Sequence, residues 1–463
     1  MIVGKHKDVE KFILSDENVI VIGESPCYVY NKQVFPLDEH RLLGILPFRA
    51  SLCDCKIALA SMEARIRKRV SSILEAPLIE IDDDYNYKVV KGRCGKVYCI
   101  FDYSDFNFVD KLSPVQVREE IDRFINYLSF SFEEEGDIST FLSAIMSTFL
   151  YSDTYTIPLF LFTANSPGSG KTYLSQIIGT LLLGRLPSVY HIPSGDDEIR
   201  KAVTSVVLTG VPYLVLDNVY SLKTPVLDSL VTSRVYSDRV LGKSKFIRIE
   251  TFLQIVITGN NVSVSSDTAR RLVGIHLTNK KDKYNCDNLL SEIMKRRRPI
   301  LRKLFSWFIS FFRQGRDMIR SVDPQFPSFE IWYKVFTSFC NWVGLPSPII
   351  TQKRVLERYE SENMHLSSLL YSWPEGKAMS AVELLEYAGL SGTNRFGIFP
   401  NRDEPDGDSK ENLRQALLTI FPKPTPSLVE SRLNYWQGRI VEGRMLKPDR
   451  RGGVKRWKVV AIA

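Results

Sequence analysis

Residues 165–172, with the sequence Asn-Ser-Pro-Gly-Ser-Gly-Lys-Thr, constrain the fold of this chain more than any other segment. They follow the apolar run 157–162, which predicts a buried strand, and they precede residues 173–183, which have the apolar spacing of a helix. A glycine-rich loop between a strand and a helix is an arrangement that binds phosphate. Its glycines let backbone N–H groups turn inward, and the helix directs its positive end at the anion. We therefore predict a nucleotide-binding loop within an α/β fold.

The residues of this loop have expected parts in phosphate binding. Lys171 would reach the β- and γ-phosphates, and the hydroxyl of Thr172 would be a ligand for Mg²⁺. Asn165 stands where such loops usually have a glycine, and asparagine tolerates left-handed backbone angles better than most residues. The expected ATP-binding residues are Asn165, Ser166, Pro167, Gly168, Ser169, Gly170, Lys171, Thr172 and Tyr173. A glycine-rich turn that merely ends in Lys-Thr is the alternative.

The length and composition of the chain indicate a globular protein of several domains. It has 463 residues, of which 44% are hydrophobic and 25% charged, and two to four domains are expected at that length. No apolar run approaches the roughly 18 residues that span a bilayer, and the first residues lack the apolar core of a signal peptide. We expect a cytoplasmic protein with reduced cysteines. Zinc binding by Cys53, Cys55, Cys94 and Cys99 is the alternative, although no histidine lies between the two pairs.

The net charge of +8 is concentrated near the C-terminus. Residues 432–463 include nine basic side chains and two acidic ones, Glu442 and Asp449, a local balance of +7. A basic surface of this kind is typical of nucleic-acid binding. A solvated basic tail is the alternative, but the strand-like runs in this range argue against it.

Two predicted buried strands downstream of the loop end in polar side chains suited to nucleotide chemistry. The first ends in Asp217 and Asn218, and its carboxylate stands where a second residue on the Mg²⁺ side belongs. The second ends in the amides Asn260 and Asn261, which would orient a water molecule against the γ-phosphate. An ordinary Asp-Asn turn is the alternative for the first strand.

The segment Asp267-Thr268-Ala269-Arg270-Arg271 follows the second of these strands. An arginine at this point is well placed to reach the nucleotide of a neighbouring subunit as an arginine finger. A surface salt bridge is the alternative for either arginine. The order of loop, acidic strand, amide strand and arginines indicates a motor ATPase, which the loop alone would not separate from a kinase or a GTPase.

With these motifs in this order, the chain resembles the AAA+ helicase-type ATPases of phages, plasmids and genomic islands, which are related to superfamily 3 and to MCM-like proteins. The resemblance extends from about residue 114 to the C-terminus and leaves out the first hundred residues. The segments that carry it are 163–172, 197–201, 215–219, 238–242, 258–261 and 267–271.

The resemblance implies a role for each matching residue. The implied roles are phosphate and Mg²⁺ binding by Lys171 and Thr172, the Walker B acid for Asp217, sensor 1 for Asn260 or Asn261, the finger acting in trans for Arg270 or Arg271, and sensor 2 for Arg298. Asn218 stands where many AAA+ enzymes have a glutamate that activates water. The general base is therefore unassigned, with Glu198 and Asp217 itself as candidates.

Residues 238–246 lie between the acidic strand and the amide strand. In similar helicases a hairpin before the sensor strand projects basic residues into the central channel of a ring. Lys243 and Lys245 flank a turn here and would bind DNA phosphates without regard to sequence. An exposed surface turn is the alternative.

The C-terminal residues have the layout of a winged helix. Ser380-Ala381-Val382-Glu383 is a capping box that opens one helix, residues 408–411 open a second, and Thr425-Pro426 opens a third. Two strand-like runs follow, 439–446 and 454–460, with a turn at 448–453 between them.

This layout predicts how the C-terminal domain would bind DNA. The third helix would enter a major groove, and Arg450, Arg451 and Lys455 on the wing would contact phosphates. A protein–protein module is the alternative use of a winged helix.

The predicted fold class is α/β with several domains. They are an α+β N-terminal domain of unassigned role (1–110), a helical lead-in (111–156), a P-loop AAA+ core with a mainly parallel sheet (157–285), a helical lid or linker (286–350) and a winged-helix domain (351–463). The aromatic residues of 289–312 and 329–343 are predicted to be mostly core.

The predicted function is an ATP-dependent DNA helicase or translocase for the replication of a mobile genetic element. Mg²⁺ and ATP would bind at the subunit interfaces of a ring, expected to be a hexamer. The expected partners are single-stranded DNA in the ring channel, duplex origin DNA at the winged helix and further copies of the chain, with no membrane. A nucleotide-switched origin-binding initiator or loader that unwinds nothing is the first alternative, and an ATPase that remodels protein is the second.

Overall fold

The computed structural model of the chain describes residues 6–22, 25–31, 33–62, 69–164, 168–191, 196–222, 225–233, 235–239, 246–260, 262–278, 286–390, 407–451 and 454–462. Two compact units make up the chain, Met1–Val355 and Leu356–Ala463.

The first unit begins with a small α+β region. Its elements are α1 (His6–Ser15), β1 (Val19–Ile22), β2 (Ser25–Tyr30), β3 (Gln33–Pro36), α2 (Glu39–Ile45), α3 (Leu52–Met62) and β4 (Arg69–Val70). The strands form a sheet in the order β3-β2-β1-β4, in which only β4 and β1 are parallel. Val19 and Val21 pack with α1 and α3, while Ile20 and Ile22 pack with Val70. Because β1 is covered on both faces, every one of its residues is apolar.

Short strands and two helices connect this region to the central sheet. They are β5 (Ser72–Leu74), β6 (Ile79–Ile81), β7 (Tyr87–Val89), β8 (Gly92–Cys94), β9 (Val97–Cys99), α4 (Pro114–Leu128), α5 (Glu135–Met146) and β10 (Leu150–Tyr151). One small sheet has the order β5-β9-β8, and another has the order β10-β6-β7. α4 begins at a capping box in which Ser113 and Gln116 each bond the backbone of the other, with Pro114 at the first helical position.

A five-stranded parallel sheet forms the centre of the first unit. The elements of this segment are β11 (Leu159–Ala164), α6 (Lys171–Leu183), β12 (Val189–His191), α7 (Asp196–Thr209), β13 (Tyr213–Asp217), β14 (Ser221–Leu222), α8 (Pro225–Ser233), β15 (Val235–Arg239), β16 (Phe246–Glu250), β17 (Gln254–Thr258), β18 (Ser263–Val264), α9 (Ser266–Ala269) and β19 (Leu272–Leu277). The sheet has the order β12-β13-β17-β11-β19, and every neighbouring pair is parallel. All residues of β13 and β17 are buried, as in sheets covered on both faces.

The connections of this sheet place a crevice at the carboxyl end of β11. After β11 the chain passes to β12 at one edge, and after β17 it passes beyond β11 to β19 at the other edge. The chain therefore leaves the neighbouring strands β11 and β17 in opposite directions. In open α/β sheets, ligands bind at the carboxyl ends of the strands at such a switch point.

β15 and β16 form an antiparallel hairpin separate from the central sheet. Arg239 lies opposite Phe246 in this hairpin, and Tyr236 lies opposite Ile249. Tyr236 and Ile249 are buried, whereas Arg239 and Phe246 are exposed. The hairpin therefore has one face toward the protein and one toward solvent.

A helical region with an aromatic core follows. Its helices are α10 (Cys286–Lys295), α11 (Arg297–Gln314), α12 (Arg316–Ser321), α13 (Glu330–Trp342) and α14 (Ile349–Ser372). Phe308 on α11 stacks on Phe336 on α13, with ring centroids 5.8 Å apart. The buried Trp307 donates its indole N–H to Glu120 on α4 at 2.6 Å. The prediction that these aromatic residues are mostly core is confirmed.

The described part of the second unit contains most of α14, three further helices and an antiparallel sheet. The elements after α14 are α15 (Ala381–Tyr387), α16 (Gly407–Ile420), α17 (Pro426–Trp436), β20 (Ile440–Val441), β21 (Arg444–Arg451) and β22 (Val454–Ala461). The sheet has the order β20-β21-β22. The predicted capping box of Ser380 and Glu383 is confirmed, as is the helix start at Thr425 and Pro426. Trp436 and Trp457 are buried in the core of this unit.

One strand of the second unit is longer than predicted. The run expected to end at Leu446 continues to Arg451, so the prediction that Pro448 lies in a turn is wrong. Pro448 lies opposite Trp457, whose N–H and C=O both bond the backbone of Met379 at 2.9 Å. Pro448 therefore occupies a position without ladder hydrogen bonds, and its missing N–H costs nothing there.

None of the helices in the described ranges is both long and apolar enough to cross a membrane. Among the described residues, no three His, Cys, Asp or Glu side chains are grouped as a metal site. Cys53 is exposed, whereas Cys55, Cys94 and Cys99 are buried. Burial and a hydrogen bond with Glu80 raise the pKa of Cys94 to about 12, and burial raises the pKa of Cys99 to about 11. Without a metal ion, these two thiols are therefore protonated near neutral pH.

Candidate nucleotide-binding site

The described part of the predicted phosphate loop, residues 168–170, leads directly into α6. Gly168 and Gly170 have φ of 76° and 86°, a left-handed backbone that favours glycine. A Cβ atom on Gly170 would also come within 2.8 Å of the Phe130 ring, so two independent constraints require glycine there. Asn165, Ser166 and Pro167 lie outside the described residues. Because α6 begins at Lys171, its first N–H groups have no partner within the helix and lie next to the loop.

The Lys171 side chain is buried beside this loop. Its Nζ donates a hydrogen bond to Ser169 Oγ at 3.0 Å. Burial lowers the pKa of Lys171, and the charge of Asp217 opposes that shift. An ammonium group that has lost part of its hydration is stabilised when an anion binds beside it. Lys171 is therefore suited to bind a phosphate group.

Asp217 ends β13 and contacts side chains from three other elements. Thr172 Oγ1, on α6, donates to Asp217 Oδ1 at 2.5 Å, and Thr258 Oγ1, at the end of β17, donates to the same oxygen. His191 Nδ1, at the end of β12, lies 3.2 Å from Oδ2. These contacts fix the orientation of a buried carboxylate next to the start of α6.

Thr172 and Asp217 are suited to hold Mg²⁺. A hydroxyl and a carboxylate are hard oxygen ligands, and Mg²⁺ is usually bound by one or two protein oxygens together with water and phosphate. The direct contact of the two side chains shows that both oxygens reach one point beside the loop. The donor set therefore fits the predicted ion.

Asn218 follows with φ of 56°, in the left-handed region. The resemblance leads one to expect a glutamate at this position. Asparagine adopts a left-handed backbone more readily than glutamate does, which is a physical reason for Asn218. The Asn218 N–H donates to Thr258 Oγ1 at 3.4 Å, and its side chain is exposed. The other base candidate, Glu198, binds Lys201 at 2.5 Å on α7, so its contacts do not support that role.

Asn260 has the environment expected of a residue that contacts a ligand. Its Oδ1 is buried and has no hydrogen-bond partner among the described residues. A buried polar atom of this kind calls for a ligand or a water to complete it. Gly259, next to it, lies so close to Val219 that a Cβ would be 2.2 Å from the Val219 carbonyl oxygen. Asn261 lies outside the described residues.

The two candidate finger arginines differ in exposure. The Arg270 side chain is 63% exposed and pairs with Asp267. The Arg271 side chain is 27% exposed, and its Nη1 donates to the Asp267 carbonyl at 2.6 Å and lies 3.9 Å from Asp228 on α8. Arg270 is therefore the more accessible of the two side chains.

Arg298, predicted as sensor 2, contacts the segment before α4 instead. Its guanidinium donates to the carbonyl of Asp102 at 3.0 Å and to the carbonyl of Ser104. The neighbouring Arg297 donates to the Leu181 carbonyl at 2.8 Å, at the end of α6. That end is about 20 Å from the loop, the length of a helix of this size. The contacts of Arg298 therefore do not support a sensor 2 role in its own chain.

Tyr173 links α6 to α10. Its hydroxyl accepts a hydrogen bond from the Leu290 N–H at 2.9 Å, and its ring centroid lies 6.4 Å from that of Phe130. These contacts hold the first turn of α6 against its neighbours. ATP binding by Tyr173 stays a prediction.

The predicted DNA-binding residues are described only in part. Lys243 and Lys245 lie outside the described residues. Arg450 and Arg451 end β21, but their side chains are outside the described part of the chain. Lys455 Nζ lies 5.5 Å from the centroid of the Trp457 ring.

Several cations of the basic C-terminal range have structural partners. Arg456 Nε donates to Glu383 at 2.9 Å, at the start of α15. Arg439 is buried and pairs with Glu362 at 3.2 Å. The basic surface of the second unit is therefore smaller than the sequence balance of +7 suggests.

His191, Thr258 and Phe130 are parts of the site to which the sequence analysis assigned no role. One feature of the sequence indicates a role for Thr258, because a hydroxyl residue ends a predicted buried strand shortly before two asparagines. His191 and Phe130 contact the site from distant segments, and no local pattern marks them.

Comparison with known proteins does not assign a family. No family model matches the chain, and no curated protein matches it. A solved structure described as "The A form apo structure of NrS-1 C terminal region-CTR" is similar at 12% identity and a TM-score of 0.40, and the match covers 98% of this chain and 99% of that one. A second, described as "CTR(305-718)" of the same region, has 12% identity, a TM-score of 0.41 and 96% coverage of each chain. Similarity at this level carries no argument about function, so the class of protein has to be inferred from the site.

Proposed function

We propose that the chain is an ATP-dependent DNA helicase or translocase of the AAA+ type that acts in the replication of a mobile genetic element. The observation that carries the proposal is the convergence of Lys171, Thr172 and Asp217 at the carboxyl edge of the parallel sheet. A glycine turn, a partly desolvated lysine and a hydroxyl–carboxylate pair at a switch point are the parts of a site for a nucleoside triphosphate.

Each part has a task in binding and hydrolysis. Lys171 and the first N–H groups of α6 would neutralise the phosphates. Thr172 and Asp217 would hold Mg²⁺, which on binding supplies charge to the β- and γ-phosphates. Asn260, whose carboxamide oxygen is buried without a partner among the described residues, would orient the attacking water.

Arg270 supports a site shared between subunits. Its side chain is largely exposed between α9 and β19, a short distance along the chain from Asn260, which follows β17. A guanidinium from a neighbouring chain would stabilise the charge that develops in phosphoryl transfer. We therefore propose a ring, with six subunits as the expected number, in which ATP binds between chains.

DNA-stimulated ATP hydrolysis and strand displacement, measured on the wild type and on Lys171→Ala, test this function. The wild type is expected to hydrolyse ATP faster with single-stranded DNA and to separate a forked duplex, and Lys171→Ala to do neither. Unwinding that survives the loss of Lys171 would overturn the proposal.

A second candidate is a nucleotide-switched initiator that binds an origin and unwinds nothing. The specific observation in its favour is Asn218, an exposed amide with a left-handed backbone at the point in the sequence where the resemblance to AAA+ enzymes leads one to expect the water-activating glutamate. Protection of a discrete duplex site together with slow hydrolysis and no strand displacement would favour this candidate over the first.

A further inference from the structure

A buried carboxylate on α8 contacts the segment that carries the two candidate finger arginines. Asp228 is 14% exposed, and its Oδ2 accepts a hydrogen bond from Thr268 Oγ1, on α9, at 3.1 Å. Its Oδ1 is buried without a hydrogen-bond partner among the described residues, and Arg271 Nη1 lies 3.9 Å from this oxygen. Burial raises the pKa of Asp228, and Thr268 and Arg271 oppose that shift. Such a carboxylate is costly to bury, so its position calls for an explanation.

The short helix α9 depends on other elements for its position. It has four residues, and a helix of one turn is not stable by itself. β14, before α8, pairs with β18, before α9, and the Ser265 N–H donates to the Leu222 carbonyl at 3.1 Å. These backbone contacts hold the start of α9. Asp228 holds the rest of the segment through Thr268 and Arg271.

The two arginines at the end of α9 are held differently. Arg270 pairs with Asp267, but Asp267 is itself 60% exposed and belongs to the same turn, so this pair does not anchor Arg270 to the rest of the protein. Arg271 donates to the Asp267 carbonyl at 2.6 Å and lies beside the buried Asp228. The direction of Arg270 is therefore set by how its turn is held, and Asp228 is a charged group that holds this turn from α8.

We propose that Asp228 is a positioning residue for the arginine finger: it fixes the turn of α9 so that Arg270 meets the nucleotide bound by the neighbouring subunit. This inference rests on the proposed function, because it takes the shared nucleotide site as given. A guanidinium stabilises phosphoryl transfer only in a narrow geometry, and a misplacement of about 1 Å can cost about a hundredfold in rate. Loss of Asp228 therefore slows hydrolysis at the neighbour's site and leaves nucleotide binding in its own chain intact.

Steady-state ATP hydrolysis by the full chain tests this role. Asp228→Asn keeps the shape of the side chain without its charge, and it is expected to lower kcat about 10- to 100-fold while KM changes by less than about twofold. Thr268→Val, which removes the hydroxyl at nearly constant shape, is expected to lower kcat as well, and Thr268→Ser to keep it. Thr232→Val is the matched control, because its hydroxyl donates to the Asp228 carbonyl at 2.8 Å within α8, and it is expected to keep the wild-type kcat. Wild-type kcat in both Asp228→Asn and Thr268→Val would overturn the proposal.

Combination with Arg270→Ala separates positioning from a merely structural role. If Asp228 acts through Arg270, the variant with both Asp228→Asn and Arg270→Ala has the same kcat as Arg270→Ala alone. Losses that multiply would show that Asp228 acts by another route and would overturn the proposal. Thr268→Val combined with Arg270→Ala is read in the same way, so the test does not depend on the folding of Asp228→Asn.

Mixed rings show in which subunit the defect acts. Lys171→Ala chains lack the phosphate-binding lysine and keep the finger, whereas Asp228→Asn chains keep the lysine and misplace the finger. In a head-to-tail ring of randomly assorted chains, about a quarter of the interfaces combine an intact nucleotide site with an intact finger. The mixture is therefore expected to reach about a quarter of the wild-type turnover, well above either variant alone. Asp228→Asn mixed with Arg270→Ala is expected to show no such recovery, because the finger is impaired in every chain.

A mixture of Lys171→Ala with Arg270→Ala distinguishes failure of this inference from failure of the proposed function. Recovery in that mixture, without recovery when Lys171→Ala is mixed with Asp228→Asn, would overturn the role of Asp228 and leave the shared site in place. No recovery in either mixture would overturn the shared site itself, and with it the role of Asp228.

Discussion

Replacing Thr258 with valine tests the arrangement around Asp217. Thr258 is 1% exposed, and its hydroxyl donates to Asp217 and accepts from the Asn218 N–H. Valine has nearly the same shape as threonine, so Thr258→Val removes these hydrogen bonds without leaving a cavity. The substitution leaves the buried carboxylate with fewer donors and one backbone N–H without its acceptor.

The size of the effect follows from the charge of the acceptor and the size of the unit. A hydrogen bond to a charged group contributes about 1.5–3 kcal/mol. Unfolding entropy of about 2.1 cal/mol/K per residue gives about 0.75 kcal/mol/K for the first unit, which ends at Val355. Thr258→Val is therefore expected to lower the melting temperature of that unit by about 2–4 °C.

Differential scanning calorimetry of the nucleotide-free protein measures this shift, and Thr180→Val is the matched control. Thr180 is fully buried on α6, and its hydroxyl has no hydrogen-bond partner among the described residues. Removing an unpaired buried hydroxyl is expected to leave the melting temperature unchanged or to raise it. The Mg²⁺ concentration for half-maximal ATP hydrolysis is expected to rise in Thr258→Val and to stay at the wild-type value in Thr180→Val.

Two results would refute this reasoning about Thr258. One is a Thr258→Val protein that melts at the wild-type temperature, which would mean that the hydroxyl does not bond the carboxylate. The other is an equal decrease in both variants, which would mean that the loss comes from valine itself and not from the hydrogen bond.

Three further predictions concern other parts of the first unit. Asp137 is fully buried and paired with Arg354, so Arg354→Met is expected to lower the free energy of unfolding of the unit by about 3–5 kcal/mol in urea. Arg123→Met, at an exposed ion pair, is the control and is expected to change that free energy by less than about 0.5 kcal/mol. An equal loss of stability in the two variants would contradict the buried pair. Arg270→Ala is expected to lower kcat for ATP by about a thousandfold with nucleotide affinity retained, and unimpaired steady-state turnover would remove it as the finger. Iodoacetamide at neutral pH is expected to label the exposed Cys53 far faster than the buried Cys94 and Cys99, because the pKa values of these two thiols are raised to about 12 and about 11. Peptide mapping by mass spectrometry measures the labelling rates, and faster labelling of Cys94 or Cys99 than of Cys53 would contradict the burial of these two thiols.

The parts of the fold that depend on local sequence were predictable. β11, β13 and β17 are apolar runs followed by turn residues or amides, and each forms a strand of the parallel sheet. The capping box at Ser380 and the Thr425-Pro426 helix start are patterns within four residues, and both occur in the structure. Signals of this length do not depend on how the rest of the chain folds.

Contacts between distant segments could not be predicted from such patterns. The hydroxyl of Thr258 meets Asp217 only because β17 and β13 are neighbours in the sheet. Arg298 resembled a sensor by its place in the chain, but the packing of α11 directs it to the carbonyls of Asp102 and Ser104. Pro448 predicted a turn, but it lies within β21, because the position opposite Trp457 needs no ladder hydrogen bond from its backbone.

Equilibrium binding of Mg²⁺ with a slowly hydrolysed ATP analogue, measured by titration calorimetry, tests the central claim most directly. The wild type is expected to bind one nucleotide per chain, and Lys171→Ala to lose that binding. Lys201→Ala, at an exposed lysine paired with Glu198, is the matched control and is expected to bind as the wild type does. Binding of the analogue by Lys171→Ala with wild-type affinity would contradict the assignment of the nucleotide site to the carboxyl edge of the parallel sheet.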